Sequence, residues 1–309
     1  MSLFALSALA AGVVSLVFGG LVILKDSRKL NNRLFFLMAL SVSVWGIAYW
    51  FWLSNTVSPE QALTWLIILT IGSILTALFF THWVLVLTRA SGLFWNTVLG
   101  ATYGIVLGFI LILVVQPSLL IGPVHEKLLF PLWPDPGPFY LIHIIFAYLI
   151  PVSLALGRVI WGLFTQTAPE KRGQLISILA GALFGFGGAG INFFLWFDIP
   201  ILPYGNFAAI LFPPLLAYSI IRHHLFTFRT IATELLVLFT VTGVFVQIFL
   251  ASSLVNLILQ IIFFVAVAAS SYLLLISVYR EVETRQELEK LTKTLAQTNN
   301  RLRELGRQK

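Results

Sequence analysis

Few side chains in this 309-residue chain could do chemistry, and those few lie within or beside long apolar runs. His143 and Asn192 fall inside hydrophobic stretches, and Asn206 falls at the start of another. Trp50, Trp65, Tyr140, Trp196 and Tyr204 add rings with one polar edge each. An imidazole and two amides give and accept hydrogen bonds, while aromatic walls supply contact area. That set suits the capture of a small amphipathic molecule, neutral or weakly charged, and the eight residues together form the candidate ligand site. Tyr140, His143, Ala147 and Pro151 share one helical face by spacing, and Pro151 marks a kink. An amide buried at Asn192 needs a partner, supplied by a neighbouring helix or by a ligand.

Other chemistries are excluded. Gly185-Phe186-Gly187-Gly188-Ala189-Gly190 has the spacing of a phosphate-binding loop, but it lies inside an apolar 20-mer with no strand before it. Gly181, Gly185 and Gly188 instead share a face, which lets another helix approach closely, and Asn192 lies on that same face. His223 and His224 are adjacent, so on a helix they point about 100° apart and do not chelate one ion together. No apolar run contains a lysine, which rules out a retinal Schiff base. No run contains the paired Asp, the Ser/His pair or the His-rich motif of an intramembrane protease. There is no cysteine, hence no disulfide and no thiolate site. No catalytic residue, metal site or cofactor is expected, and His82 reads as a hydrogen-bonded structural group.

The elements that must position the candidate site are membrane helices. With 59% hydrophobic residues, 10% charged and a mean hydropathy of +0.96, the chain reads as an all-α polytopic bundle. Apolar runs give about nine spans: 3–24, 34–53, 62–87, 97–115, 140–163, 174–196, 205–221, 233–251 and 256–278. Lys25, Arg28, Lys29, Arg33, Arg89, Arg158, Lys171, Arg172, Arg222 and Arg229 lie in or beside the odd-numbered gaps, whereas the even-numbered gaps hold Lys127 alone. The positive-inside rule then sets the N-terminus outside and the C-terminus in the cytoplasm. Glu60, Glu126, Asp135 and Asp198 fall on the outer side. The net charge of +7 thus reflects topology and a basic tail, not nucleic-acid binding. The first span lacks a basic leader and is too long for a cleaved signal peptide. Trp45, Tyr49, Trp50 and Trp52 read first as a belt at the lipid headgroups. The proline-rich loop 116–139 precludes regular helix over most of its length, and Leu128, Leu129, Phe130, Leu132 and Trp133 make it greasy enough to fold back as a lid. A short turn at Ser252-Ser253 makes spans eight and nine an antiparallel hairpin.

The last span passes into a charged, helix-favouring segment with no Pro or Gly at the border. Leu288, Leu295 and Leu302 recur every seven residues, and so do Leu291, Thr298 and Leu305, which is the seam of a short parallel coiled coil. Glu287, Lys290, Lys293, Arg301 and Arg303 fall off that seam, and Thr298 weakens it locally. A homodimer through Leu288, Leu291, Leu295, Leu302 and Leu305 would carry a signal out of the bilayer. The six-residue step from Val282 to Leu288 breaks the heptad phase where the helix leaves lipid.

Tyr218-Ser219-Ile220-Ile221-Arg222-His223-His224-Leu225-Phe226 resembles the Y-A-I-I-R-x-x-L-F-D signature that closes the N-terminal seven-transmembrane sensor region of bacterial histidine kinases. The chain departs from it at Thr227, where that family has Asp. The segment 282–305 is similar to the linker that feeds the kinase dimerisation helix, and nine-span autoinducer-receptor kinases share this architecture. The resemblance implies a sensor domain over 1–229, a helix hairpin over 230–279 and a signalling linker over 280–309. It also implies a downstream kinase domain and a response regulator as partners, besides the lipid bilayer and an unidentified small-molecule or lipid-like ligand. No phosphoacceptor or ATP-binding box occurs in the sequence, so the chain reads as an input module that catalyses nothing itself. The competing reading is a secondary transporter or lipid-binding membrane protein, since transporters also place Gly- and Pro-broken helices at the midplane. The scarcity of intramembrane charge and the coiled-coil exit count against transport, and only a transporter would move solute into liposomes.

Overall fold

A computed structural model describes residues 3–221 and 253–307, together with isolated positions between 233 and 248. Among the described residues, seven helices are long and apolar enough to cross a membrane. Six of them belong to a compact unit spanning Met1–His223: α1 (Leu3–Lys25), α2 (Leu30–Ser54), α3 (Pro59–Leu87), α4 (Leu93–Val115), α5 (Tyr140–Thr165) and α6 (Lys171–Trp196). The seventh expected span, 205–221, is helical in two short pieces, α7 (Gly205–Ala209) and α8 (Phe212–Ile221). The eighth expected span and the His223-His224 pair lie outside the described residues, apart from isolated helical positions.

The helix ends follow from local chemistry. Ser58 caps α3 by accepting the amide of Gln61, with Pro59 in the first helical position, where no N–H is needed. Asn32 closes the α1–α2 turn by donating to the carbonyls of Val22 and Asp26. Asp26 accepts the backbone amide of Arg28 and pairs with Lys29, which holds its carboxyl below the usual range.

Packing order makes the unit a ring. α2 lies between α1 and α3, α3 packs on α5, α5 on α6, α6 on α8, and α7 and α8 return to α1. α4 stands outside this ring against α3 and one turn of α5. Small residues set the tightest crossings. A Cβ at Gly46 would collide with the carbonyl of Ala8, and a Cβ at Gly205 with that of Gly188. Gly181, Gly185 and Gly188 all face α7 and α8, so the shared face read from their spacing is present.

Two π-helical turns interrupt α-geometry, at Ile144–Leu149 in α5 and at Leu183–Gly187 in α6. The first takes up the chain just before Pro151. The proline-rich loop is not irregular throughout. After a 3₁₀ turn it forms an antiparallel hairpin of β1 (Ile121–Lys127) and β2 (Phe130–Pro136), turned at Leu128 in left-handed backbone. Pro123, Pro131, Pro134 and Pro136 withhold donors, so the ladder is interrupted by register shifts and stays two-stranded. β1 contacts α3, and β2 contacts the end of α6.

The second unit, His224–Lys309, is described chiefly by one unbroken helix, α9 (Leu254–Arg307), of 54 residues. It is about 80 Å long at the α-helical rise. Its apolar part, Leu254–Val278, joins the charged part without a break, as the sequence indicated.

Candidate functional site

The core of the ring holds a cavity of about 70 Å³. α2 contributes Trp45, Tyr49 and Trp52 to its wall, and α3 contributes Leu69, Thr70 and Ser73. α5 adds Tyr140, His143 and Tyr148, α6 adds Phe186, Asn192, Phe193 and Trp196, and the hairpin adds Trp133. A neighbouring cavity of about 60 Å³ shares Trp45, Ser73, Tyr148, Phe186 and Ala189 and reaches Phe212. No described charged side chain lines either one.

Of the eight candidate residues, Tyr140, His143, Asn192 and Trp196 line the cavity. Asn206 stands directly behind Asn192 and is fully buried. The remaining three lie elsewhere. Phe51 stacks flat on Trp65 at 4.5 Å and meets Trp50 edge-on, away from the wall. Tyr204 is exposed and meets Phe4 edge-on. Three of the four aromatics read as a headgroup belt turn inward instead: Trp45, Tyr49 and Trp52 are buried. Their i, i+4, i+7 spacing is that of a core-facing stripe, so the signal was present in the sequence. Tyr148 carried no such signal, being five residues from His143. The π turn between them brings the two rings to 5.5 Å.

A chain of amides links three helices at the cavity floor. The Tyr49 hydroxyl donates to Asn192 Oδ1 at 2.9 Å. Asn192 Nδ2 donates to Asn206 Oδ1 at 2.7 Å and to the Ala189 carbonyl at 2.8 Å. The partner that a buried Asn192 requires is therefore supplied by neighbouring helices. His143 differs. It is 1% exposed, and neither ring nitrogen has a hydrogen-bond partner. Phe109, Tyr140 and Tyr148 surround its ring at 5.2–5.6 Å. Asn206 Nδ2 is likewise buried without a partner. His82, by contrast, bonds the Tyr103 hydroxyl at 2.9 Å, a structural contact.

The hairpin closes the cavity as a lid. Trp133 is fully buried, tilted against Trp52 at 4.7 Å and against Phe130 at 4.6 Å. Trp52 Nε1 donates to the Leu132 carbonyl at 2.9 Å, tying α2 to β2. On the other side, Lys127 at the end of β1 is buried. Its ammonium meets Asp135 at 2.7 Å and Asp198 at 2.8 Å, and it donates to the carbonyls of Leu195 and Trp196. The hydrogen bond and charge of Lys127 hold the Asp198 carboxyl below the usual aspartate range. His125, Asp135 and Asp198 have ligand atoms within 4.8 Å of one another, but Lys127 already occupies both carboxylates. The cluster is therefore a latch for the hairpin.

The uncharged aromatic chamber and the hairpin over it lie entirely within the first 223 residues, inside the compact unit of membrane helices. Over residues 7–229 the chain matches the family described as the N-terminal 7TM region of histidine kinases, and it belongs to that family. No curated protein and no solved structure matches the chain. The chain is thus a multi-pass membrane sensor region of the histidine-kinase type, the non-catalytic portion of such proteins.

Proposed function

We propose that the cavity holds a small amphipathic or lipid-like signal through uncharged contacts, and that its occupancy is relayed through α9 to a cytoplasmic kinase. The observation that carries this reading is His143, buried under the lid with both ring nitrogens unpartnered in the cavity wall. Leaving a polar group so costs about 1–3 kcal/mol, which a ligand hydrogen bond would recover. The cavity volume limits the enclosed part of the ligand to a few non-hydrogen atoms, with Asn192 and Tyr49 as further polar contacts. In this reading the N-terminus is outside, the tail is cytoplasmic, and two copies pair in parallel through Leu288, Leu291, Leu295, Leu302 and Leu305, upstream of a kinase and its response regulator.

Native mass spectrometry of protein extracted gently from membranes tests the ligand directly. The wild type should retain a small molecule that His143→Phe loses while keeping the thermal stability of the bundle. Identical retention by both proteins would refute the site. Orientation is read by single cysteines at Ser58, Ser118 and Thr167. A membrane-impermeant thiol reagent applied to intact cells should label the first two and miss the third.

A further inference from the structure

We infer a second binding site, for a phosphate-bearing anion, at the basic end of the bundle, where α3 and α5 end, away from the lid that precedes α5. A cleft of about 310 Å³ lies between the end of α3, the end of α5 and the start of α6. Arg89, Arg158 and Lys171 line it with Gln166 and Gln174, and no described carboxylate does. Among the described residues, none of these three cations forms an ion pair. Arg158 stands inside the span α5, where an uncompensated charge is costly. Part of its role is structural, since Arg158 Nη2 donates to the Thr88 carbonyl at 3.2 Å and the guanidinium lies 4.3 Å over the Trp161 ring. Its Nε is nevertheless buried without a partner. One anion in the cleft would offset the three positive charges that line it at once.

The surroundings fit a phospholipid. The helix at Lys171 begins at Pro169, so its first turn presents free amides and the positive end of the helix dipole beside the cleft. A second groove, sharing Arg89, Arg158 and Trp161, continues between α4 and α5 along Trp95, Ser153 and Gly157. It is open because α4 packs on the π turn of α5 but hardly on the helix beyond it. A Cβ at Gly157 would meet nothing within 4 Å, leaving room for an acyl chain. Basic clefts between helix ends, next to a tryptophan at the interface, are suited to anionic headgroups. A soluble phosphate ester offers the headgroup cleft the same chemistry without the chain.

Native mass spectrometry of delipidated full-length protein, given phosphatidylglycerol or phosphatidylcholine with matched chains, tests the site. The wild type should retain phosphatidylglycerol and bind phosphatidylcholine weakly. Arg89→Gln and Lys171→Gln, whose side chains are exposed, should each weaken retention about fivefold, and the pair about twenty-five-fold. Persistence of that retention in millimolar inorganic phosphate identifies a lipid headgroup as the source. Displacement by phosphate identifies a soluble phosphate anion at the same residues. Equal retention of the two lipids, or variants that retain phosphatidylglycerol as the wild type does, overturns the inference.

Discussion

The lid latch makes an asymmetric prediction, because its cation is buried and its anions are not. Lys127 is 5% exposed at the side chain, while Asp135 is 32% and Asp198 74% exposed. Replacing Lys127 with Met removes the buried charge together with its contacts. Water can then solvate both carboxylates, and only the Leu195 and Trp196 carbonyls lose a donor. The cost should be about 1–2 kcal/mol, near that of an ordinary charge-assisted hydrogen bond after relief of desolvation. Asp135→Asn keeps the size but strips the closer counter-charge from a buried ammonium. Breaking a buried pair on one side costs about 3–5 kcal/mol, and the remaining Asp198 and carbonyl contacts should lower this to about 2–4 kcal/mol here. Hydrogen exchange of the amides in residues 121–136 reads the opening of the hairpin alone. Lys127→Met should accelerate it about tenfold and Asp135→Asn about a hundredfold, with α2 and α3 unchanged. The double variant should resemble Lys127→Met. If Lys127→Met is the more damaging single change, the ion pair outweighs its desolvation cost and the reasoning fails; if neither variant moves exchange, the latch is a surface ion pair of the usual small value and it fails likewise.

The same latch is pH-dependent with a definite sign. The Asp198 carboxyl is held low by Lys127, so its contribution is present above the ordinary aspartate range and is lost as pH falls through its lowered value. Hairpin exchange should rise in that acid window, and Asp198→Asn should flatten the part of the profile that this group supplies. Gly205→Ala would drive a methyl group into the Gly188 carbonyl and should cost about 1–3 kcal/mol in thermal unfolding, whereas Gly100→Ala, which meets nothing within 4 Å, should be neutral or slightly stabilising. Single cysteines along residues 286 to 305 should crosslink two copies with peaks at 288, 291, 295, 302 and 305. A flat profile in lipid would refute the parallel coiled coil.

What the sequence made legible was whatever repeats at a fixed period. The apolar runs located α1 to α6, and the glycine spacing of α6 identified the face that meets α7 and α8. Counting turns from Gly181 places Asn192 inward, and Asn192 is the centre of the amide chain. The same counting separates Trp45, Tyr49 and Trp52 from Trp50, yet residue type alone merges all four into a belt. Periodicity was the better guide there, and composition the worse. Counting fails at Tyr148 because a π turn inserts a residue between His143 and the rest of α5. No local residue marks such a turn, since its stability depends on the packing of the neighbouring helices. The hairpin was harder still. Its prolines at 123, 131, 134 and 136 argue against strands, and only long-range partners make them: Trp52 for Leu132, and Asp198 for Lys127. Trp133 therefore entered the cavity wall through tertiary contacts alone, with no spacing in its own segment to announce it.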